Sequence, residues 1–94
     1  MNKNQEKLVE KLGIFKSLES LKENQNILYF EKWKIFLSYN SVISINIFND
    51  KIYLNKNNWD YSRITGKYRN IFLEEKKKET EIKLKNKEYL FFED

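Results

Sequence analysis

The stretch NWDYSRITGKYRNIFL, residues 58–73, combines a helix start, an apolar stripe and a polar face, and the rest of the chain is organised around it. With Asp60 as N-cap, the carboxylate accepts from the free N–H groups of the first turn and lies at the positive end of the helix dipole. Trp59 and Ile64 then occupy N′ and N4, the two positions of a hydrophobic staple. Tyr61, Ile64, Tyr68, Ile71 and Phe72 recur at helical spacing, which predicts a helix over residues 61–74 with one apolar stripe. Arg63, Lys67 and Asn70 fall at i, i+4 and i+7 on the other side, with Arg69 beside them and no acid between Asp60 and Glu74. That face is polar and cationic. Gly66 interrupts the helix at a cost of about 1 kcal/mol relative to Ala, so it marks either a closely packed neighbour or a local break.

Before this stretch, residues 27–55 change from helical to alternating periodicity and are rich in aromatic and β-branched side chains. Trp33, Ile35 and Leu37 alternate with Lys34, Phe36 and Ser38. Ile43, Ile45 and Ile47 alternate with Ser44 and Asn46, and Ile52 and Leu54 flank Tyr53. A three-residue loop of Tyr39, Asn40 and Ser41, with Asn40 left-handed, sets Leu37, Ile35 and Trp33 opposite Ile43, Ile45 and Ile47. A two-residue loop of Asn49 and Asp50 then sets Ile47 opposite Ile52 and Ile45 opposite Leu54. Strands are therefore expected at 32–38, 42–48 and 51–55, with a fourth at 27–30. One sheet face must be covered, and the stripe from Tyr61 to Phe72 is the nearest cover in sequence.

The ends read differently. Leu8, Leu12, Phe15, Leu18 and Leu21 step by three and four, which predicts a helix over residues 4–23. Gly13 lies inside it, so either one helix tolerates a glycine or two shorter ones meet there. The acids and bases of residues 74–78 are ordered in the sense that supports a helix. Residues 76–86 fit a second helix or the first half of a hairpin, and over 76–92 a charged helix followed by a short terminal strand is expected. The fold class expected is α+β in a single domain, residues 1–94: an N-terminal helix, an antiparallel three- to four-stranded meander, a helix packed on one sheet face, a charged C-terminal helix and a short terminal strand.

Composition narrows the chemistry. Ninety-four residues make one domain, and seven Phe, six Tyr and two Trp supply a small core of bulky rings. The net charge of +4 comes from 18 basic and 14 acidic residues mixed along the chain, which describes a surface more than a nucleic-acid footprint. There is no Cys and no His, which removes disulfides, thiolate chemistry, the commonest general base and the commonest transition-metal ligands. Residues 1–12 carry no apolar signal region, and no apolar run approaches the ~18 residues of a spanning helix, so a cytoplasmic protein with no membrane partner is expected. Asn, Lys and Ile dominate, a composition that AT-rich codon usage produces.

SYNSVIS (residues 38–44) and WDYSRITGKYRNIFL (residues 59–73) together resemble a family of small uncharacterised domains encoded by phages and other mobile elements of low-GC bacteria. Its pattern runs S-Y-N-[ST]-x-[VI], then a tyrosine strand, then W-D-Y-S-x-T-T-x-K-H and F-L. The match lies at Ser38, Tyr39, Asn40, Trp59, Asp60, Tyr61, Ser62, Thr65, Lys67, Phe72 and Leu73, over a little more than a third of the chain. The chain departs at Ile64, where the family has a second Thr, and at Tyr68, where it has His. The resemblance implies a genomic setting in which small proteins often neutralise host defence. It implies no chemistry.

Among candidate sites, Trp59 and Tyr61 read either as an aromatic platform beside Arg63 and Lys67 or as core rings. Arg63, Lys67 and Arg69 read either as a partner-binding face or as a solvated one. Asn40 and Ser41 read as turn formers, and Ser62 has no base partner in sequence. No pair of carboxylates has a glycosidase or metal-site spacing, so no enzyme, cofactor or metal is expected. A binding protein without enzymatic activity is expected, and the genomic setting that the resemblance implies makes it a phage or mobile-element protein that blocks a host macromolecule, in concrete form an anti-CRISPR or other anti-defence inhibitor. Its partner would be a host defence protein or a ribonucleoprotein such as a CRISPR effector, met in the host cytoplasm by Tyr61, Arg63, Lys67, Arg69 and Asn70. The alternative is a small nucleic-acid-binding phage regulator. Either would be a monomer or a homodimer.

Overall fold

Five consecutive segments pair edge to edge in the computed structural model, which describes residues 13–93. They are β1 (Phe15–Lys22), β2 (Gln25–Phe30), β3 (Trp33–Ser38), β4 (Ser41–Ile47) and β5 (Ile52–Asn55). Two helices follow, α1 (Arg63–Leu73) and α2 (Lys77–Lys85), and then β6 (Tyr89–Phe92). The sheet has six strands in the order β1-β2-β3-β4-β5-β6. The first five are antiparallel, and β6 lies parallel to β5. A parallel neighbour cannot be reached through a tight turn, so both helices serve as its crossover.

This corrects the expected architecture: a mixed six-stranded sheet replaces the three- to four-stranded antiparallel meander, and Phe15–Lys22 is a strand where a helix over 4–23 was expected. Residues 4–12 of that expectation lie outside the described residues. Phe15, Leu18 and Leu21 are spaced for a helix, but β2 offers this segment a ladder, and tertiary pairing overrides weak local preference. The strand is irregular, with register shifts between Phe15 and Ser17 and between Ser20 and Lys22. Gly13 supplies the φ of +77° with which the chain enters it, its α-carbon facing Glu31.

Both turn lengths differ from expectation, and each decides which side chains face inward. Tyr39 (φ 51°) and Asn40 (φ 65°) form a two-residue turn, so Ser41 already belongs to β4 and pairs with Ser38. Two left-handed residues in succession match the twist of a hairpin. Ile35 faces Ile45 and Trp33 faces Ile47, but a bulge after Phe36 sets Leu37 against Val42. The bulge turns Ile43 into the core, where it is 1% exposed. The next loop is one residue longer than expected: the Ile47 and Asp50 amides close it on Lys51 and Ile47 carbonyls, with Asn49 left-handed. Ile45 therefore pairs with Tyr53, and Ser44 with Leu54. A slip of one residue exchanges the two faces.

The consequence runs across the whole sheet. Leu18, Leu28, Ile35, Ile45, Tyr53 and Leu90 form one continuous cross-strand row, and none of them joins the core beneath the helices. The neighbouring row contains Ile27, Phe36, Ser44 and Leu54, and it is this side that packs on α1 and α2. Phe36 and Phe72 stack with ring centres 5.8 Å apart, joined by Leu73 and Tyr89. Lys34, on the same side, runs its stem along the helix so that Nζ lies 4.8 Å from the Phe72 ring centre and donates to the Phe72 carbonyl. No helix among the described residues is long and apolar enough to cross a membrane.

Candidate functional site

The segment between β5 and α1 is fixed by one buried side chain. The Asn55 carboxamide donates to the Val42 carbonyl at 2.9 Å and accepts from the Asn57 amide at 3.0 Å, while its backbone carbonyl accepts from Asn58 and Trp59. The chain is thereby turned sharply towards the helix. Ser62, with φ −151° and ψ 167°, is the N-cap and accepts from the Thr65 amide at 3.1 Å. The cap is therefore Ser62, not Asp60, and α1 begins two residues later than expected. Trp59 is correspondingly no longer at N′, so the staple with Ile64 does not form. Thr65, fully buried, shares a 2.9 Å hydrogen bond with Ser38 of β3 and accepts a second from Ser62 at 3.2 Å. A hydroxyl relay of Ser38, Thr65 and Ser62 ties the β3–β4 hairpin to the start of α1.

Arg69 is the largest fully buried side chain, at 1% exposure. Its Nη1 donates to the Trp59 carbonyl at 2.8 Å and to Asp60 Oδ1 at 3.1 Å, its Nη2 donates to Asn70 Oδ1 at 2.9 Å, and its guanidinium lies 5.0 Å from the Trp59 ring centre. A planar fork with several donors suits this convergence of acceptors. Gly66 packs against it, where a β-carbon would meet Nη2 at 3.6 Å, an ordinary van der Waals contact. Asp60 also meets Lys77 Nζ at 2.6 Å, which anchors α2. Burial pushes the Asp60 carboxyl up, but the hydrogen bonds and charges of Lys77 and Arg69 outweigh it and hold the group below its ordinary value. Of the residues expected on a free cationic face, Arg69 and Asn70 are thus engaged inside the fold.

The other three stand outside. Tyr61 is 71% exposed, and Arg63 and Lys67 are exposed and form no ion pair among the described residues. Lys67 Nζ lies 5.4 Å from the Tyr68 ring centre. Ile64 and Ile71, expected to face the core, are about half exposed, because the inward face of α1 is Thr65, Gly66, Arg69, Phe72 and Leu73. The helix is rotated relative to the expected stripe. Its outer surface carries Tyr61, Arg63, Ile64, Lys67 and Ile71.

Two clefts open at the start of α1. One, of about 690 Å³, lies between the Tyr39–Asn40 turn and the loop after β5, and is lined by Ser38, Tyr39, Ser41, Ile43, Asn57, Asn58, Tyr61, Ser62 and Ile64. It holds no charged group. The other, of about 610 Å³, is shallower and contains Arg63, Lys67, Arg69 and Lys77 against the single carboxylate of Asp60. Ser62 belongs to both. Sequence reading weighed Ser62 only as a nucleophile without a base partner and gave Ser38 and Thr65 no role beyond the strand alternation and the family pattern; Ser62 is itself a favoured cap residue type, the signal that could have competed with Asp60.

A second polar cluster locks the far end of the helices. Glu75 accepts from Thr80 at 2.6 Å, from Lys83 at 2.7 Å and from the Tyr89 hydroxyl at 2.7 Å. Burial raises the Glu75 carboxyl, and these donors more than reverse that, while burial and then Glu75 push the Tyr89 hydroxyl up to about 12. These groups bind one another, so the cluster holds β6 to the helices. Among the described residues no cluster of carboxylates could hold a metal ion.

Comparison of the chain with family models, with curated proteins and with solved structures finds no match.

Proposed function

We propose that this chain is a non-enzymatic binding protein of a phage or mobile element that docks the outer face of α1 on a host macromolecule and blocks it, in its most concrete form as an anti-CRISPR or other anti-defence inhibitor in the host cytoplasm. The observation that supports this reading is the pair Arg63 and Lys67, exposed and without an acid of their own among the described residues, set among Tyr61, Ile64 and Ile71. Aromatic and aliphatic anchors beside arginine are the composition of an interface centre. An acidic surface of a defence protein or ribonucleoprotein fits that charge. Tyr61 supplies the anchor, and the two cations steer the approach.

The test is capture from host lysate by the wild-type chain and by Arg63→Glu/Lys67→Glu. A macromolecule retained by the first and lost by the second is expected. Equal recovery by both contradicts the reading. The alternative, a regulator that binds nucleic acid directly, is favoured by the cationic cleft at Ser62 and predicts binding that weakens by orders of magnitude between low and physiological salt.

A further inference from the structure

We infer that the two clefts joined at Ser62 form one site for a nucleoside 5′-phosphate unit, supplied by a free nucleotide or by a single-stranded nucleic acid. The inference does not rest on the docking of α1, although Tyr61, Arg63 and Lys67 belong to both.

The larger cleft is neutral and contains serine hydroxyls and the carboxamides of Asn57 and Asn58 between two tyrosines, Tyr39 and Tyr61, that are 48% and 71% exposed. That is the chemistry of a flat heteroaromatic ring with donors and acceptors on its edge: tyrosine faces stack it, and amides read the edge. The enclosed Oδ1 of Asn58 has no hydrogen-bond partner among the described residues, which leaves an unmet acceptor in a residue that lines the cleft.

The adjoining cleft supplies the charge. Asp60 already answers Arg69 and Lys77, which leaves Arg63 and Lys67 with no acid of their own among the described residues. A sugar would use the neutral cleft and ignore the cations, and a bare anion would do the reverse. A base linked to a phosphate uses both.

Tyr39 adds an independent sign. A bulky aromatic at φ 51° is strained, and Asn or Gly would hold the same turn more cheaply. Strain of this kind persists where the side chain has a task, and here the ring stands at the mouth of the neutral cleft.

The experiment is an amide NMR titration of the whole chain at low salt with adenosine 5′-monophosphate, adenosine, inorganic phosphate, poly-glutamate and a single-stranded hexanucleotide. The expected result is a saturable shift with the nucleotide at Ser41, Asn57, Asn58 and Ser62 through Lys67, with phosphate alone moving only the last group and binding roughly tenfold or more weakly. Tighter binding of the hexanucleotide assigns the source to a strand, and equal binding assigns it to a free nucleotide. Tyr39→Asn is expected to unfold later than the wild type yet to bind the nucleotide roughly tenfold more weakly, a combination that a purely structural tyrosine does not give. No saturable shift with any base-bearing probe, or identical shifts with poly-glutamate, overturns the inference. Because Tyr39→Asn and Asn58→Ala leave Arg63 and Lys67 in place, they separate failure here from failure of the docking reading.

Discussion

Arg69 Nη1 lies 3.1 Å from Asp60 Oδ1, with the arginine side chain 1% and the aspartate side chain 35% exposed. The two are not equivalent partners. Asp60 keeps Lys77 if Arg69 is lost, but Arg69 without Asp60 is a buried cation left with carbonyl and amide oxygens alone. Asp60→Ala is therefore expected to cost about 3 kcal/mol in urea unfolding, as removal of one side of a buried pair does. Lys77→Ala, whose side chain is half exposed, should cost much less. Equal costs would mean that the buried fork does not hold the loop.

The opposite holds for the outer cations. Arg63→Glu/Lys67→Glu should leave the unfolding free energy within about 0.5 kcal/mol of the wild type, since neither residue has an ion pair to lose among the described residues. A loss of several kcal/mol would place these side chains in the fold's own support.

Acid should unfold the chain through Asp60 and Glu75. Both carboxyls are held below their ordinary values of 3.8 and 4.5, so the unfolded chain takes up these protons first. The stability they contribute is complete above the ordinary values and is lost as pH falls through the lowered ones. The urea midpoint should be level down to about pH 5 and drop below it, and Glu75→Gln should flatten that drop. At the alkaline end the sign is reversed: Tyr89, raised from 10.0 to about 12, binds its proton more tightly when folded, so stability falls as pH rises between those values. A Tyr89→Phe chain should show a shallower alkaline decline, the rest coming from Tyr29, Lys77 and Lys83, which their carboxylate partners also raise.

Core packing depends on the Phe36–Phe72 stack. Phe36→Ala should cost about 3–5 kcal/mol, since the site is fully enclosed between sheet and helix. Ile64→Ala and Ile71→Ala, on the outer side of α1, should each cost under about 1 kcal/mol. The reverse order would restore the stripe that the sequence suggested.

That contrast shows what sequence could and could not tell. Alternation placed strand structure in residues 27–55, because β-branched and aromatic side chains fit a pleated surface wherever they point. It could not choose the face, since β3 is apolar on both sides: Trp33, Ile35 and Leu37 point one way and Phe36 the other. The helices settled that choice by covering the Phe36 side; the β3–β4 turn, one residue shorter than expected, is offset by the bulge, and the β4–β5 loop, one residue longer, sets Ser44 against Leu54. The helix was located by its apolar spacing, yet its inward face holds Thr65 and Arg69, polar residues that a hydrophobic stripe excludes and that are buried because Ser38, Asp60 and the Trp59 carbonyl receive them. The strand at Phe15–Lys22 was hidden by leucines at helical steps, and the parallel place of β6 depends on a crossover that no local pattern encodes. Of the candidate site, Tyr61, Arg63 and Lys67 stand exposed on the surface, whereas the clefts around Ser62 arise only when the β3–β4 turn meets the loop after β5.

The most direct measurement is the association rate with a partner captured from host lysate, taken for the wild type and for Arg63→Glu/Lys67→Glu across a salt series. Exposed cations that steer towards an acidic surface should give a wild-type rate that falls steeply with salt, and a reversed variant that associates at least roughly tenfold more slowly and with little salt dependence. Indistinguishable rates at every salt concentration would contradict the docking of α1 through its outer face.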